Sequence, residues 1–233
     1  MNTLLRNLDT EVVSLQREGI PRTIAAKTRR VYDMVSAVYP LSTHFFHSKA
    51  HKLVLDMARI ENGMRVLEIA TGSGEMFRRL VQKNRSGETV GLDLSPRMAA
   101  RTFQQVRREF PSARAHCHAV DARHLPFRDE TFNAVVSCYL LELLSKDDIF
   151  RTLREVHRVL RPGGTFTVVL IGQSGEGFNQ LYKVAATVAP AFWGKQVEQR
   201  VPDWMRTCRF QLDQERHVVQ TGYPSRVVSA TRL

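Results

Sequence analysis

Three strand-like segments of the chain end in an acid or a glycine turn, at places where backbone could meet a ligand. The first is Glu68-Ile-Ala-Thr-Gly-Ser-Gly74, in which an apolar run from Met64 to Ala70 gives way to a Gly-x-Gly turn and then to a helical pattern (Met76, Phe77, Leu80, Val81). A glycine turn between strand and helix lets a ligand approach the backbone closely and aims free N–H groups at it. A dinucleotide would require a third glycine where Phe77 stands, so that fingerprint is absent. The carboxylate of Glu68 would repel a diphosphate but suits an ammonium group. Asp93 ends the run Thr89–Leu94, 19 positions after Gly74, where a carboxylate can accept both hydroxyls of a ribose. Asp121-Ala122 follows the run Ala115–Val120; an acid there can accept the exocyclic amine of adenine or cap the segment that follows. A fourth segment, Ala134–Tyr139, ends in the less polar pair Cys138-Tyr139.

Other side chains suit the chemistry of an acceptor. His44, His47 and His51 have i, i+3, i+7 spacing, which puts three imidazoles near one helix face. They lack a cysteine or acid at ligand spacing, so no metal is expected there. His44 or His47 could serve as general base for an acceptor that must lose a proton; a solvated or core histidine is the alternative. Tyr32, Tyr139 and Tyr182 could frame an acceptor by stacking or hydrogen bonding, or could simply be core. His44, His47 and Tyr182 are the catalytic candidates.

The elements that must position these groups are legible from periodicity. Apolar positions Leu4, Leu5, Leu8, Val12 and Leu15 predict an amphipathic helix broken at Gly19-Ile20-Pro21. A second helix is expected from Thr23 to about Val38, stopping at Pro40. A third starts near Ser42 or Thr43 and ends at Asn62-Gly63. From residue 64 five strands alternate with helices: 64–70, Thr89–Leu94, Ala115–Val120, Ala134–Tyr139 and Thr165–Ile171. Ser95 is expected to cap one helix with Pro96 in its first turn, and another to span Lys146–Leu160 before Pro162-Gly163-Gly164. Alternation of this kind means βαβ units and a parallel sheet. Residues 173–209 hold a helical stretch (Tyr182, Val184, Val188, Phe192), and Phe210–Gln220 with Arg226–Arg232 read as a closing hairpin around Gly222-Tyr223-Pro224. The expected fold is therefore α/β and Rossmann-like. It comprises a seven-stranded, mostly parallel sheet, a C-terminal antiparallel hairpin, an N-terminal helical cap over 1–60, and a main domain over 61–233 with a substrate-covering insertion at about 173–209.

The 233 residues, 43% hydrophobic and 24% charged, exclude a disordered or collagen-like chain. Three scattered cysteines make no disulfide framework, and the composition predicts a cytoplasmic protein. No apolar run approaches the roughly 20 residues of a membrane span, and the first 21 residues carry no secretory signal. The net charge of +11 is spread along the chain, as in the arginine stripe 151, 154, 158, 161. A solvated surface is the ordinary reading, with peripheral contact to an anionic membrane a second and nucleic acid disfavoured.

A ligand with an amino-acid end, a ribose and an adenine but no phosphate is S-adenosylmethionine. Residues 64–171 resemble the class I S-adenosylmethionine-dependent methyltransferases in Val66-Leu-Glu-Ile-Ala-Thr-Gly-Ser-Gly74, Gly91-Leu-Asp-Leu-Ser95, Asp121-Ala-Arg-His-Leu-Pro-Phe127 with Thr131-Phe132, and Arg158-Val-Leu-Arg-Pro-Gly-Gly164. Within that superfamily the look is nearest to the ubiquinone/menaquinone biosynthesis C-methyltransferases, including the Leu181-Tyr182 to Gly194 segment and Ala70 in place of a common glycine. Departures are Asn133, Leu140-Leu141-Glu142 and the closing hairpin. The resemblance implies a methyl transfer from S-adenosylmethionine, with S-adenosylhomocysteine as product, to a hydrophobic small-molecule acceptor such as a quinone, lipid or aromatic metabolite. It implies that Ser73 and its neighbours hold the methionine part, Asp93 the ribose, Asp121 and Ala122 the adenine, and Ser137 or Cys138 the sulfonium side. The full expected cofactor set is Tyr32, Glu68, Ala70, Thr71, Gly72, Ser73, Gly74, Asp93, Leu94, Met98, Asp121, Ala122, Ser137, Cys138 and Tyr139. A cofactor-binding subunit without transfer activity and an RNA methyltransferase are the competing classes.

Overall fold

The computed structural model describes residues 39–173, 197–221 and 223–233, with side chains from residue 48 onward. Helix α1 (Tyr39–Met57) precedes five strands with three helices among them: β1 (Arg65–Ile69), α2 (Glu75–Lys83), β2 (Glu88–Asp93), α3 (Pro96–Glu109), β3 (Arg114–Ala119), β4 (Phe132–Cys138), a 3-10 turn (Leu141–Leu143), α4 (Lys146–Val159) and β5 (Leu160–Ile171). Then come α5 (Val201–Thr207), β6 (Phe210–Gln220) and β7 (Tyr223–Arg232). The strands form one seven-stranded sheet in the order β3-β2-β1-β4-β5-β7-β6. Strands β1 to β5 are parallel, and β7 runs antiparallel to both of its neighbours. The order reverses at β1/β4, which places the crevice used by open α/β sheets at the C-terminal ends of those two strands.

The sheet is apolar on both faces because helices cover both. On one face Val66, Ala134, Val136 and Val169 pack with Ala50, Val54 and Met57 of α1 and with Met76 and Leu80 of α2. On the other Leu67, Ile69, Val135, Phe166 and Val168 pack with Ile149, Leu153 and Val156 of α4. Val201 and Met205 of α5 join this second cluster. In the stretch 197–209, expected within a substrate cover, Val197, Val201, Met205 and Cys208 therefore belong to the core. The expected helix over Thr23–Val38 and the rest of 173–209 lie outside the described residues.

Capping follows the sequence closely. Ser95 Oγ accepts the Met98 N–H at 3.2 Å, with Pro96 opening α3, and Ser145 Oγ accepts the Asp148 N–H at 3.2 Å at the start of α4. Pro40 sits in the first turn of α1, where a missing N–H has no partner to lose. Helix α1 ends at Met57, before Asn62-Gly63, and the chain continues irregularly with Arg59 at φ 51°. Strand β5 begins at Leu160, directly after α4, and leaves Pro162-Gly163-Gly164 out of the ladder in a register shift between the pairs Phe132–Leu160 and Ala134–Thr165. Asn133, a departure from the family pattern, accepts the Arg65 N–H through Oδ1 at 2.9 Å and so caps the start of β1. Among the described residues no helix is long and apolar enough to cross a membrane.

Gly91 shows how tightly the β1–β2 crossover is packed. A Cβ at this position would lie 2.7 Å from Thr71 Cγ2, 2.9 Å from the Phe77 ring and 3.0 Å from Cys117 Sγ. Gly91→Ala is therefore expected to destabilise the fold by about 1–3 kcal/mol. A urea midpoint unchanged from wild type would show that these neighbours yield without strain.

Candidate active site

The turn after β1 is built from left-handed backbone. Ala70 has φ 63°, Gly72 φ 50° and Gly74 φ 81°. At Ala70 the conformation costs about 1–2 kcal/mol relative to glycine, a local strain of the kind concentrated at ligand sites. Gly74 caps α2 with backbone alone, having no side chain to do so, and a Cβ on it would lie 2.8 Å from Thr102 Oγ1. Free N–H groups at this helix start are therefore left for a ligand.

Asp93 knots the turn to the next helix. Its Oδ2 accepts the Gly72 N–H at 2.8 Å, and its Oδ1 accepts the Ser95 N–H at 2.9 Å. Glu68 lies two residues before the strained Ala70, buried in β1, and its Oε2 has no partner among the described residues. Burial first, and the charge of Asp93 second, hold this carboxyl well above the ordinary range. An isolated buried carboxylate is costly, so a cation brought to Glu68 would be bound as an ion pair.

Asp121, just past β3, stands differently. Burial works to raise its pKa, but hydrogen bonds from the side chain and backbone of Arg123 outweigh it and hold the carboxyl below the ordinary value. Arg123 in turn pairs with Asp148 Oδ1 at 3.1 Å. The loop that carries them is pinned from below. Arg158 donates to the Leu125 carbonyl at 2.9 Å and to the Phe127 carbonyl at 2.7 Å, while Glu155 accepts the Leu125 N–H at 2.7 Å. Arg158, read as part of a solvated stripe, is thus a structural hub; Arg151 and Arg154 of that stripe are exposed.

One cleft joins these groups. It is lined by Ala70, Gly72, Asp93, Leu94, Asp121, Ala122, Cys138 and Tyr139 from the expected set, and by Leu92, Val120, Arg123, Leu140, Leu143, Leu144, Ser145 and Asp148 besides. Its cavity volume is about 110 Å³, smaller than a typical small-molecule site. Glu68, Thr71, Ser73, Ser137 and Met98 are buried and do not line it, and Gly74 caps α2. Met98 packs in the core and touches the site only through the Ser95 cap. Thr71 Oγ1 and Ser137 Oγ are buried without partners among the described residues. Cys138 and Cys117 are only half-buried as whole residues, but burial and the nearby acid Glu68 push both thiols up. They stay protonated and unreactive. His44 and His47 fall in α1, but their side chains, like all of Tyr32 and Tyr182, lie outside the described residues. His51, on the same helix, is buried.

Tyr139 leaves β4 with φ 57°, and its hydroxyl meets Ser225 Oγ at 2.7 Å. Its ring is edge-on to Tyr223, with centroids 6.1 Å apart. These contacts from β7 were not legible in the sequence, because only sheet closure brings Tyr223 and Ser225 to the end of β4. The leucines after β4 could have been read as a cleft wall from their density alone.

Glu142, in the 3-10 turn, is also buried; its Oε1 accepts the Ile171 N–H at 2.5 Å. Burial raises its pKa to about 7, against hydrogen bonds from its own N–H and that of Ile171, with Glu198 adding to the rise. A carboxyl whose folded value exceeds the unfolded 4.5 binds more protons when folded, so stability falls as pH rises between those values. The slope from this group is at most about 1.4 kcal/mol per pH unit. Glu142→Gln is expected to flatten the thermal midpoint between pH 5 and 7; an equally steep profile in the variant would assign the slope elsewhere.

Comparison with known proteins places this geometry. Residues 66–164 match a family described as "Methyltransferase domain". The putative methyltransferase YrhH of Bacillus subtilis is 30% identical over 125 residues, covering 53% of this chain and 67% of that protein. A protein of a Nostoc species described as 2-phytyl-1,4-naphtoquinone methyltransferase is 26% identical over 148 residues, covering 61% of this chain and 64% of its own. The matched stretch thus spans about two thirds of the length of these relatives. Among solved structures the [4+2]-cyclase SpnF superposes with a TM-score of 0.74 at 17% identity, covering 92% of this chain and 99% of its own.

Proposed function

We propose, from the premise that this chain belongs to the class I S-adenosylmethionine-dependent methyltransferases, that it transfers a methyl group to a hydrophobic small-molecule acceptor of the quinone type. The observation that carries the reading is the placement of Asp93 and Asp121 at the ends of two adjacent strands, both lining one cleft, with the carboxyl of Glu68 buried in the next strand. The residues fit the family's cofactor. The unpartnered Oε2 of Glu68 suits the ammonium, the carboxylate of Asp93 suits the ribose hydroxyls, and Leu94 and Ala122 offer apolar surface to the base, with Asp121 for its amine. When bound, the cofactor supplies a sulfonium methyl, an electrophile that reacts in line with an acceptor lone pair or carbanion.

What the chain itself contributes is positioning and exclusion of water. Asp93 holds the β1 turn against α3, which fixes the distance between the ammonium and ribose ends of the cleft. Tyr139, locked by Ser225 and Tyr223, forms the wall past β4 that an acceptor would meet. Protonated Cys138 lines the same wall without competing as a nucleophile. If the acceptor must lose a proton, His44 or His47 on α1 and Tyr182 are the proposed groups. The quinone class is supported by the aligned naphtoquinone methyltransferase and by the apolar lining.

The test is calorimetric titration with S-adenosylhomocysteine, followed by transfer of labelled methyl to a 1,4-naphthohydroquinone carrying a prenyl tail. Binding with labelled product supports the proposal; binding with no transfer to quinols, lipids or aromatic metabolites would sink the acceptor assignment. The fold neighbour that is named a cyclase favours one second reading, since a fold does not fix a reaction. In it the cofactor is bound and no methyl leaves it. The peripheral membrane contact suggested by the +11 charge remains a proposal, read out by sedimentation with anionic vesicles.

A further inference from the structure

The base end of the cleft holds one cation among acids. Arg123 lines it together with Asp93, Asp121 and Asp148, and its side chain is only 16% exposed. Its guanidinium forks onto Asp121, with Nη2 2.6 Å from Oδ2 and Nε 2.9 Å from Oδ1 and 3.1 Å from Oδ2. The backbone N–H of Arg123 also donates to Oδ1, at 3.0 Å. On its other side Nη1 donates to Asp148 Oδ1 at 3.1 Å. Asp148 belongs to the first turn of α4, where Ser145 Oγ donates to its Oδ2 at 2.8 Å. One planar group thus straps the loop after β3 to the start of α4, across the cleft that both walls form.

Counting acceptor positions gives this strap a consequence. A carboxylate has about four lone-pair sites. On Asp121 the backbone N–H and Nε occupy both sites of Oδ1, and Nη2 occupies one of Oδ2, the longer Nε contact being shared. One acceptor position on Oδ2 is left, and adenine's exocyclic amine has one N–H to place there. The carboxylate could not rotate to offer another without breaking the fork.

We propose that Arg123 is a positioning residue for base recognition: by clamping Asp121 to Asp148 it presents a single fixed acceptor to an amine-bearing purine and rejects a purine with a carbonyl at the same place. The inference rests on the methyltransferase reading, and its substrate class is the amino-purine nucleoside end of the donor. Arg is required in preference to Lys because only a planar fork can hold two oxygens of one carboxylate and one of another.

The test measures binding of S-adenosylhomocysteine and of S-inosylhomocysteine, in which a carbonyl replaces the amine, to wild type, Arg123→Lys and Asp148→Asn. Wild type is expected to prefer the adenosyl compound by about a hundredfold, the scale of one buried hydrogen-bonding group left without its partner. Arg123→Lys keeps the charge but not the fork; its preference should shrink to about tenfold or less. Asp148→Asn leaves the Asp121 fork intact and takes the charge from the second anchor, and its preference should fall between the two. Thermal midpoints show that each variant is folded, and if Arg123→Lys is not, Asp148→Asn alone decides. A discrimination ratio unchanged in the folded variants, with both affinities lowered alike, would show Arg123 to be merely structural and overturn the proposal. Wild type binding neither compound would instead remove the donor reading beneath it.

Discussion

Asp93→Ala should weaken binding of S-adenosylhomocysteine at least a hundredfold, the loss of about 3 kcal/mol or more. Two effects add. The ribose hydroxyls lose a charged acceptor, and charge-assisted hydrogen bonds are worth roughly twice neutral ones. The Gly72 and Ser95 N–H groups lose theirs at the same time, so the turn that shapes the ligand's other end is released. Asp93→Asn separates the two. Its amide oxygen can keep one backbone bond, but its NH2 would face the other N–H, so affinity should fall by an intermediate amount while the fold persists. Calorimetry on both variants, with circular dichroism as the check on folding, gives the answer. Wild-type affinity in Asp93→Ala would show that the ribose is held elsewhere and would remove the main support for the site.

Glu68→Gln is expected to move stability and binding in opposite directions. Burial, with Asp93 adding to it, raises the Glu68 carboxyl well above its ordinary 4.5. The folded protein without ligand therefore keeps a proton that the unfolded chain has released, and stability is lost as pH rises above 4.5 toward the folded value. Glutamine does not titrate, so the variant should escape this pH-dependent loss and be the more stable of the two at pH 7 to 8. Binding should suffer, because the ammonium of the ligand loses its counter-charge. A drop of about tenfold to a hundredfold corresponds to a charged hydrogen bond. The pH dependence separates this from general damage: wild-type affinity should rise with pH as ligand binding expels the proton, and the variant's should not. A variant both less stable and flat in neither profile would mean that Glu68 is a packing residue with a satisfied proton.

This pairing of local cost and ligand gain recurs around the site. Ala70 and Tyr139 hold left-handed backbone without being glycine, at φ 63° and 57°. Such strain persists only where surroundings over-determine it, and here the knot at Asp93 and the Tyr139–Ser225 pair do so.

The five strands and the helices among them were readable in advance because each repeats a local rule. A short apolar run, a turn residue and a cap at Ser95 or Ser145 specify their elements through neighbours a few positions away, and the structure keeps them within a residue or two, except that β5 starts at Leu160 and not at Thr165. The acids at the strand ends were equally legible, since a parallel sheet necessarily brings its carboxyl ends to one edge. Where the sequence misled, the deciding contacts were distant. Val201 and Met205 have the same apolar character whether they cover a substrate or a sheet; packing against Phe166 and Phe210 made them core. Arg158 looks like its exposed neighbours Arg151 and Arg154, and only the fold brings the carbonyls of Leu125 and Phe127 within its reach. The same holds for Asp121 and Arg123. Their adjacency in sequence shows a charge pair, but the strap to Asp148 spans 25 residues and exists only once α4 has docked beside the β3 loop. Composition and spacing thus determined which chemical groups reach the site edge, because period and capping act locally. The protonation, pairing and spare acceptor positions of those groups were decided by tertiary structure, because burial and long-range hydrogen bonds set them.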